Sequence, residues 1–176
     1  MLFNVAGLLT APTGTVRRHT LDNERLVTGQ GAFEEINGPV TMLRTDRTVL
    51  VEASVSAVTH DSCGRCLAPA TVHLNAEIEE EFYPLNADLI GAPRMGVWEE
   101  TALDEALLID SHNMLDMREL VRQALLGSMP IAPLCSPDCR GLCPQCAADR
   151  NVRSCSCDEM PTDARWAPLA HLSQRS

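Results

Sequence analysis

Alternating apolar and polar residues dominate the first half of the chain and predict β-strands. The clearest run extends from Thr48 to Val58, where one face carries Val49, Val51, Ala53, Val55 and Ala57. A second run, from Thr71 to Phe82, alternates in the same way, although its apolar row includes Glu80. Because successive side chains on a strand point to opposite faces, both runs predict long strands with one buried face.

One later segment has the period of an α-helix. Its apolar positions recur three and four residues apart, at Met117, Leu120, Val121, Ala124 and Leu125. This spacing predicts an amphipathic helix over about 117–128. Asp116 and Glu119 are three residues apart and predict a capping box at its start. Pro130 and Pro133 predict its end, since proline cannot continue a helix.

These elements predict an α+β fold, with an antiparallel β-sheet or a small barrel-like core and one main packed helix. We expect a core domain over residues 1–130 and a cysteine-rich tail over residues 131–176. Residues 84–103 contain two prolines and two glycines without a sustained period, which predicts an inserted acidic loop. The apolar residues 2–9 and 106–109 predict two further short elements.

Charge narrows the classes of function. The 176 residues include 24 acidic and 14 basic side chains, the latter all arginine, for a net charge of −10. Residues 77–119 hold twelve of the acids against two arginines. This balance disfavours a general basic nucleic-acid binder, but it leaves room for a local arginine face elsewhere. No segment reaches the roughly 18 apolar residues that a membrane span needs, so we expect a cytoplasmic protein without a membrane partner.

Eight cysteines carry the candidate chemistry, and they fall in close pairs: Cys63, Cys66, Cys135, Cys139, Cys143, Cys146, Cys155 and Cys157. In a reducing compartment, such pairs indicate metal or redox chemistry before structural disulfides. Two thiolates on one tight turn suit tetrahedral zinc. The last four cysteines lie within fifteen residues and predict a closed structural zinc site.

The other four cysteines predict a second zinc ion, which would tie Cys63 and Cys66 to Cys135 and Cys139. A competing arrangement joins Cys63 and Cys66 to any two of the later cysteines, and the sequence does not choose between them. An iron–sulfur cluster would also use four thiolates. His60 is a candidate substitute ligand, although a role as an ordinary strand-end residue suits it better.

A redox role for the first cysteine pair is the alternative function. A C-x-x-C turn supports thiol exchange when one thiol is activated, and Arg65 lies between Cys63 and Cys66. Hydrolytic zinc motifs, glycine-rich phosphate loops and serine nucleophile motifs are absent from the sequence, and its histidines are scattered singly. We therefore expect no catalytic residues and no small-molecule substrate.

Several motifs occur in a characteristic order: C-G-R-C-L at 63–67, D-M-R-E-L at 116–120, D-C-R-G-L-C-P-Q-C at 138–146 and D-A-R-W-A-P-L at 163–169. In this order they resemble the YceD family of large ribosomal RNA subunit accumulation proteins. The resemblance implies a bacterial or organellar factor in large-subunit assembly, needed for accumulation of 23S rRNA. Ala147 and Ala164 depart from the family pattern, where Gly and Pro are more familiar, and affect turn geometry.

The partners implied are large-subunit rRNA or a pre-ribosomal particle. An acidic chain would need a local arginine face to contact RNA, and our candidates are Arg17, Arg18, Arg65 and Arg140. Further arginines outside the acidic segment are weaker candidates: Arg44, Arg47, Arg150 and Arg153. The acidic segment 77–119 is a candidate docking site for a basic ribosomal protein or assembly factor.

Overall fold

A computed structural model describes residues 1–29, 31–85, 104–157 and Arg165. The strands are β1 (Leu2–Asn4), β2 (Val16–Thr28), β3 (Gly31–Arg44), β4 (Val49–Ser62), β5 (Pro69–Pro84), β6 (Leu108–Ile109) and β7 (Met114–Asp116). The helices are α1 (Ala6–Leu9) and α2 (Arg118–Gly127), and a 3-10 turn spans Glu105–Leu107. The α+β prediction, with a β-sheet and one main helix, is therefore confirmed.

Five strands form the main sheet in the order β2-β3-β4-β5-β6. Neighbouring pairs are antiparallel except β5 and β6, which are parallel. Bulges interrupt the register where Asn23 and Glu35 adopt positive φ angles of 52° and 51°. Because a bulge bends its strand and increases the local twist, these positions curl the sheet towards a barrel.

A second, two-stranded sheet pairs β1 with β7 beside the main one. The ring centroid of Phe3 on β1 lies 4.9 Å from that of His19 on β2. The apolar segment 2–9 thus forms a strand followed by one helical turn, α1. The segment 106–109 is partly a 3-10 turn, and only its last two residues form a strand.

The core lies on the inner face of the curled sheet, under α1 and α2. The predicted inner row of β4 is buried throughout, and Val72, Leu74, Ala76, Ile78 and Phe82 are buried on β5. Val121 and Leu125 cover them from α2. Glu80 belongs to the same row by the alternation of the sequence, but it is exposed, because a buried, unpaired carboxylate would cost too much free energy.

The helix α2 begins at Arg118 and its N-cap residue is Met117, so the capping box predicted from Asp116 and Glu119 is wrong. Asp116 precedes the N-cap and accepts the backbone N–H of Arg118 at 3.0 Å. Glu119 instead accepts hydrogen bonds from Arg122 and Gln123 within the helix. This geometry binds the Glu119 carboxylate to a guanidinium, a stronger partner than a backbone amide.

Most of the predicted acidic loop, residues 86–103, lies outside the described residues. In the described part of the chain, no helix is both long and apolar enough to cross a membrane.

Candidate metal centre

A tight turn at the tip of the β4–β5 hairpin presents the first cysteine pair. The N–H of Leu67 bonds the carbonyl of Cys63 at 3.0 Å, and the N–H of Cys63 bonds the carbonyl of Ala68 at 2.8 Å. These bonds hold Cys63 and Cys66 on the same side of the turn. Both cysteines are buried, at 0% and 8% exposure.

The segment after α2 brings the second pair to this hairpin tip. The N–H of Gly64 bonds the carbonyl of Pro133 at 2.7 Å and anchors the segment. The Sγ of Cys63 then lies 3.8 Å from the Sγ of Cys139, and the Sγ of Cys66 lies 3.5 Å from that of Cys135. All four sulfurs lie within 4.8 Å of one another and form what we name the first cysteine group.

A second turn repeats the first one further along the chain. The N–H of Ala147 bonds the carbonyl of Cys143 at 2.9 Å, and the N–H of Cys143 bonds the carbonyl of Ala148 at 2.8 Å. Cys143 and Cys146 of this turn, with the two cysteines at 155 and 157, form the second cysteine group, whose sulfurs also lie within 4.8 Å of one another. The structure therefore groups the cysteines as the two separate sets of four, and not in the mixed arrangement that the sequence left open.

The residue after each C-x-x-C adopts the left-handed conformation that glycine prefers. Leu67 has φ 61° and Ala147 has φ 55°. Ala147, where the family pattern more often has glycine, therefore keeps the glycine-like conformation, and Leu67 shares it. Each costs about 1–2 kcal/mol relative to glycine, so the hydrogen bonds and contacts of the turns must offset that cost.

Each turn also favours thiolate formation at its first cysteine. Backbone hydrogen bonds from Cys135, Cys66 and Arg65 lower the pKa of the Cys63 thiol to about 6. Backbone hydrogen bonds from Cys146 and Gln145 lower the pKa of Cys143 to about 6 in the second group. Zinc and other thiophilic metals bind the thiolate, so the turns prepare one ligand in each group.

In each group, one later cysteine holds its proton more tightly. The neighbouring side chains of Cys66 and Cys139 raise the pKa of Cys135 to about 12. The side chain of Cys146 raises the pKa of Cys157 to about 12. Four sulfurs at such short distances repel one another when ionised, and a bound cation would relieve this repulsion.

The donor set and its spacing suit one tetrahedral metal ion in each group. At a zinc–sulfur distance of about 2.3 Å, tetrahedral sulfurs lie about 3.8 Å apart. The two sulfur–sulfur distances quoted for the first group, 3.8 and 3.5 Å, are close to this value. His60 belongs to neither group: it is exposed on β4, with its Nδ1 3.4 Å from the hydroxyl of Thr71.

The structure places the four arginine candidates at opposite ends of the sheet. Arg17 and Arg18 lie on β2 beside Met42 and Thr41 of β3, near the start of β4. Arg65 and Arg140 lie at the cysteine turns, beyond the end of β4. A strand of 14 residues spans about 45 Å, so the candidates fall in two separate basic sites, one near each end of the sheet. Within the first site, Arg17 and Arg18 are successive residues of β2 and point to opposite faces of the sheet.

These arginines have different surroundings. Arg17 packs over α1 so closely that a Cβ on Gly7 would lie 2.5 Å from its Nη2. Arg65 donates from Nη1 to the carbonyl of Cys139 at 2.9 Å. Arg44 is only 3% exposed and donates to the carbonyls of Leu9 and Thr48. Burial lowers the pKa of Arg44, and this weaker candidate is wrong because its guanidinium is not available to RNA.

Three acids of the acidic segment are exposed on the outer face of β5. Glu77, Glu79 and Glu81 alternate along that face. Glu79 lies directly opposite Glu52 of β4, a like-charge pair that disfavours the fold slightly. Glu79 and Glu52 share a cross-strand row with Thr41 and Arg18, so this acidic surface is level with the Arg17 and Arg18 end of the sheet.

Asn151 is a site residue that the sequence patterns did not reveal. It lies between the cysteines of the second group, and its side-chain Nδ2 is 3.4 Å from the Sγ of Cys139 in the first. A single asparagine in a polar loop has no spacing that distinguishes it from a surface residue. Only the approach of the two turns reveals the contact.

Known proteins are similar to much of this chain. Over 150 residues, it is 29% identical to an uncharacterized protein of Mycobacterium tuberculosis, in an alignment that covers 85% of this chain and 66% of the relative. An uncharacterized protein of Mycobacterium leprae is 29% identical over 138 residues, or 78% of this chain and 58% of the relative. The alignments therefore span just under two thirds of the first relative, and less of the second.

A third relative carries a functional name. It is the large ribosomal RNA subunit accumulation protein YCED homolog 1, chloroplastic, of Arabidopsis thaliana, 28% identical over 61 residues, or 35% of this chain and 19% of the relative. No solved structure matches the chain. The profile of the family described as large ribosomal RNA subunit accumulation protein YceD matches residues 51–173, which include both cysteine groups. The chain therefore belongs to the YceD family.

Proposed function

We propose that this protein is a noncatalytic factor in large ribosomal subunit biogenesis that supports accumulation of large-subunit rRNA. The observation that carries the proposal is the family match over residues 51–173. The protein would act in the cytoplasm, on large-subunit rRNA or a pre-ribosomal particle. Its tail would serve as a rigid binding element and not as a reaction centre.

We assign a structural zinc ion to each cysteine group. Four protein ligands leave no open position for a water or a substrate, which favours a structural over a catalytic ion. The tail needs such support because few of its described side chains between 131 and 157 are buried. Metal binding would supply the folding free energy that the small apolar cluster around Cys63 and Cys139 lacks.

Direct RNA contact would use a basic site near each end of the sheet, with Arg17 and Arg18 on the two faces of β2 at one end and Arg65 with Arg140 at the other. Arginine binds phosphate through paired N–H donors, and two sites at opposite ends of the sheet would engage separate parts of a folded RNA. The exposed acids of β5 are the candidate surface for a basic ribosomal protein. In that arrangement the protein would hold RNA and a basic partner at the same time.

The test of the cellular role is depletion followed by sucrose-gradient profiling and quantification of large-subunit rRNA. We expect fewer large subunits, restored by the wild-type chain but less well by an Arg65→Gln/Arg140→Gln variant. Arg25→Gln is the matched control, since Arg25 pairs with Glu34 on the exposed surface. Normal large subunits after depletion would refute the proposal.

The test of the metal assignment is elemental analysis of the purified chain. We expect two zinc ions per chain and no iron, with all eight thiols protected until a chelator is added. The low pKa of Cys63 also favours the redox alternative. A metal-free chain that cycles a Cys63–Cys66 disulfide would establish that alternative and refute the zinc sites.

A further inference from the structure

Asn151 connects the two cysteine groups through its side chain. Its Nδ2 donates to the Sγ of Cys139 at 3.4 Å, and its Oδ1 accepts the backbone N–H of Arg140 at 2.7 Å. Cys139 belongs to the first group, whereas Asn151 lies in the loop from Cys146 to Cys155 of the second. A side chain from the loop of the second group thus contacts a sulfur atom of the first group.

The orientation of the Asn151 amide is fixed by its neighbours. Asp149 Oδ1 accepts from Nδ2 at 2.9 Å and from the backbone N–H of Asn151 at 2.8 Å. Exchanging the amide oxygen and nitrogen would turn an oxygen towards both a carboxylate and a sulfur, and a nitrogen towards the N–H of Arg140. One Nδ2 hydrogen therefore serves Asp149 and the other serves Cys139.

The loop that carries Asn151 is positioned by the second cysteine turn. Arg150 donates its N–H to the carbonyl of Gly141 at 3.0 Å. Asp149 forms a β-bridge with Leu142, and Ala148 accepts the N–H of Cys143. Because these contacts involve the turn that presents Cys143, closing the second group around an ion holds Asn151 in place.

We propose that Asn151 is a positioning residue that makes metal affinity at the first cysteine group depend on occupancy of the second. This inference rests on the proposed role of both groups as metal sites. The Nδ2 contact at 3.4 Å makes Asn151 an outer-sphere partner of the Cys139 sulfur, a proposed metal ligand. Loss of such an outer-sphere partner typically lowers metal affinity about 10- to 100-fold. The coupling is reciprocal, so the filled first site also favours the second.

The decisive variant is Asn151→Asp in the full chain. It keeps the side-chain shape and the acceptor for the Arg140 N–H, but replaces the donor to Cys139 by an oxygen. Asn151→Ala removes the contact without adding charge and should act in the same direction. Asn75→Asp is the matched control, because Asn75 is exposed on β5 and gains the same charge. Cys146→Ser/Cys157→Ser removes the second site.

Zinc affinity is measured by competition with a chromophoric chelator, and cadmium-113 NMR observes the two sites separately. We expect the first site to bind about tenfold more weakly in either Asn151 variant, and also when the second site is removed. The combined variants should show no further loss. The first-site cadmium resonance should shift in Asn151→Asp and stay unchanged in Asn75→Asp.

Three results would overturn the coupling. The first is unchanged first-site affinity in both Asn151 variants, and the second is an equal effect of second-site removal with and without Asn151. An unmoved cadmium resonance in Asn151→Asp is the third. Wild-type protein that binds no metal would instead refute the proposed zinc sites themselves.

Discussion

Replacing Gly141 by alanine should loosen the junction between the two cysteine turns. Gly141 has φ 70°, in the left-handed region, and a Cβ there would lie 3.0 Å from the carbonyl oxygen of Arg65. The same carbonyl accepts the N–H of Leu142 at 3.1 Å. If Arg65 moves aside to make room, this hydrogen bond lengthens and the turns separate.

The expected cost combines three effects. A left-handed conformation costs a non-glycine residue about 1–2 kcal/mol. The lower entropy of the unfolded alanine chain returns about 0.4–1 kcal/mol. A weakened hydrogen bond adds about 1 kcal/mol. The net loss of about 2 kcal/mol would weaken zinc binding that is coupled to folding of the turns about 30-fold, at about 1.4 kcal/mol per factor of ten.

Chelator competition on the full chain measures this loss. Gly14→Ala is the control for backbone strain alone, since Gly14 has φ 89° and a Cβ there would meet nothing within 4 Å. It should leave zinc affinity unchanged, because Gly14 lies at the opposite end of the sheet from the cysteine turns. Wild-type zinc affinity in Gly141→Ala would refute the reasoning.

Three further changes test other parts of the structure. Arg122 and Gln123 lower the pKa of Glu119 to about 2 from 4.5. The stability that this carboxylate contributes is thus complete above pH 4.5 and lost as pH falls towards 2. In an Arg122→Met variant, NMR titration should find the Glu119 pKa shifted back up towards 4.5. Ala147→Gly should strengthen second-site zinc binding a few-fold in chelator competition, because glycine relieves the strain at φ 55°, and unchanged affinity would contradict this reasoning. Phe82→Ala should lower the free energy of unfolding in urea by about 3–5 kcal/mol, and a loss no larger than that of the exposed-site variant Val27→Ala would contradict the assigned core.

Sequence periodicity predicted the central strands because one face of each is continuously buried. It did not predict β2 as one strand, since the polar residues around Asn23 interrupt the alternation where the strand bulges. The parallel pair β5–β6 was also missed. A strand of two residues is too short to show a period, and its position depends on contacts made far along the chain.

The sequence identified the eight cysteines as ligands, but it did not show which cysteines would share a site. Spacing identifies the pairs, whereas the contact between Gly64 and Pro133 determines which pairs meet. The two basic sites illustrate the same limit. Arg17 and Arg65 carry the same charge in the sequence, and only the pairing register of β2, β3 and β4 places them at opposite ends of the sheet.

Because the chain is synthesised from its N-terminus, the first cysteine group cannot form until long after its first cysteine pair has been made. Cys63 emerges from the ribosome well before Cys139, which follows 76 residues later. At about 5–20 residues per second, the hairpin tip waits roughly 4–15 s for its last ligand. During that interval the nascent chain exposes a pair of thiols with no partners, so an ion captured early would be held by two sulfurs until the tail arrives to complete the site.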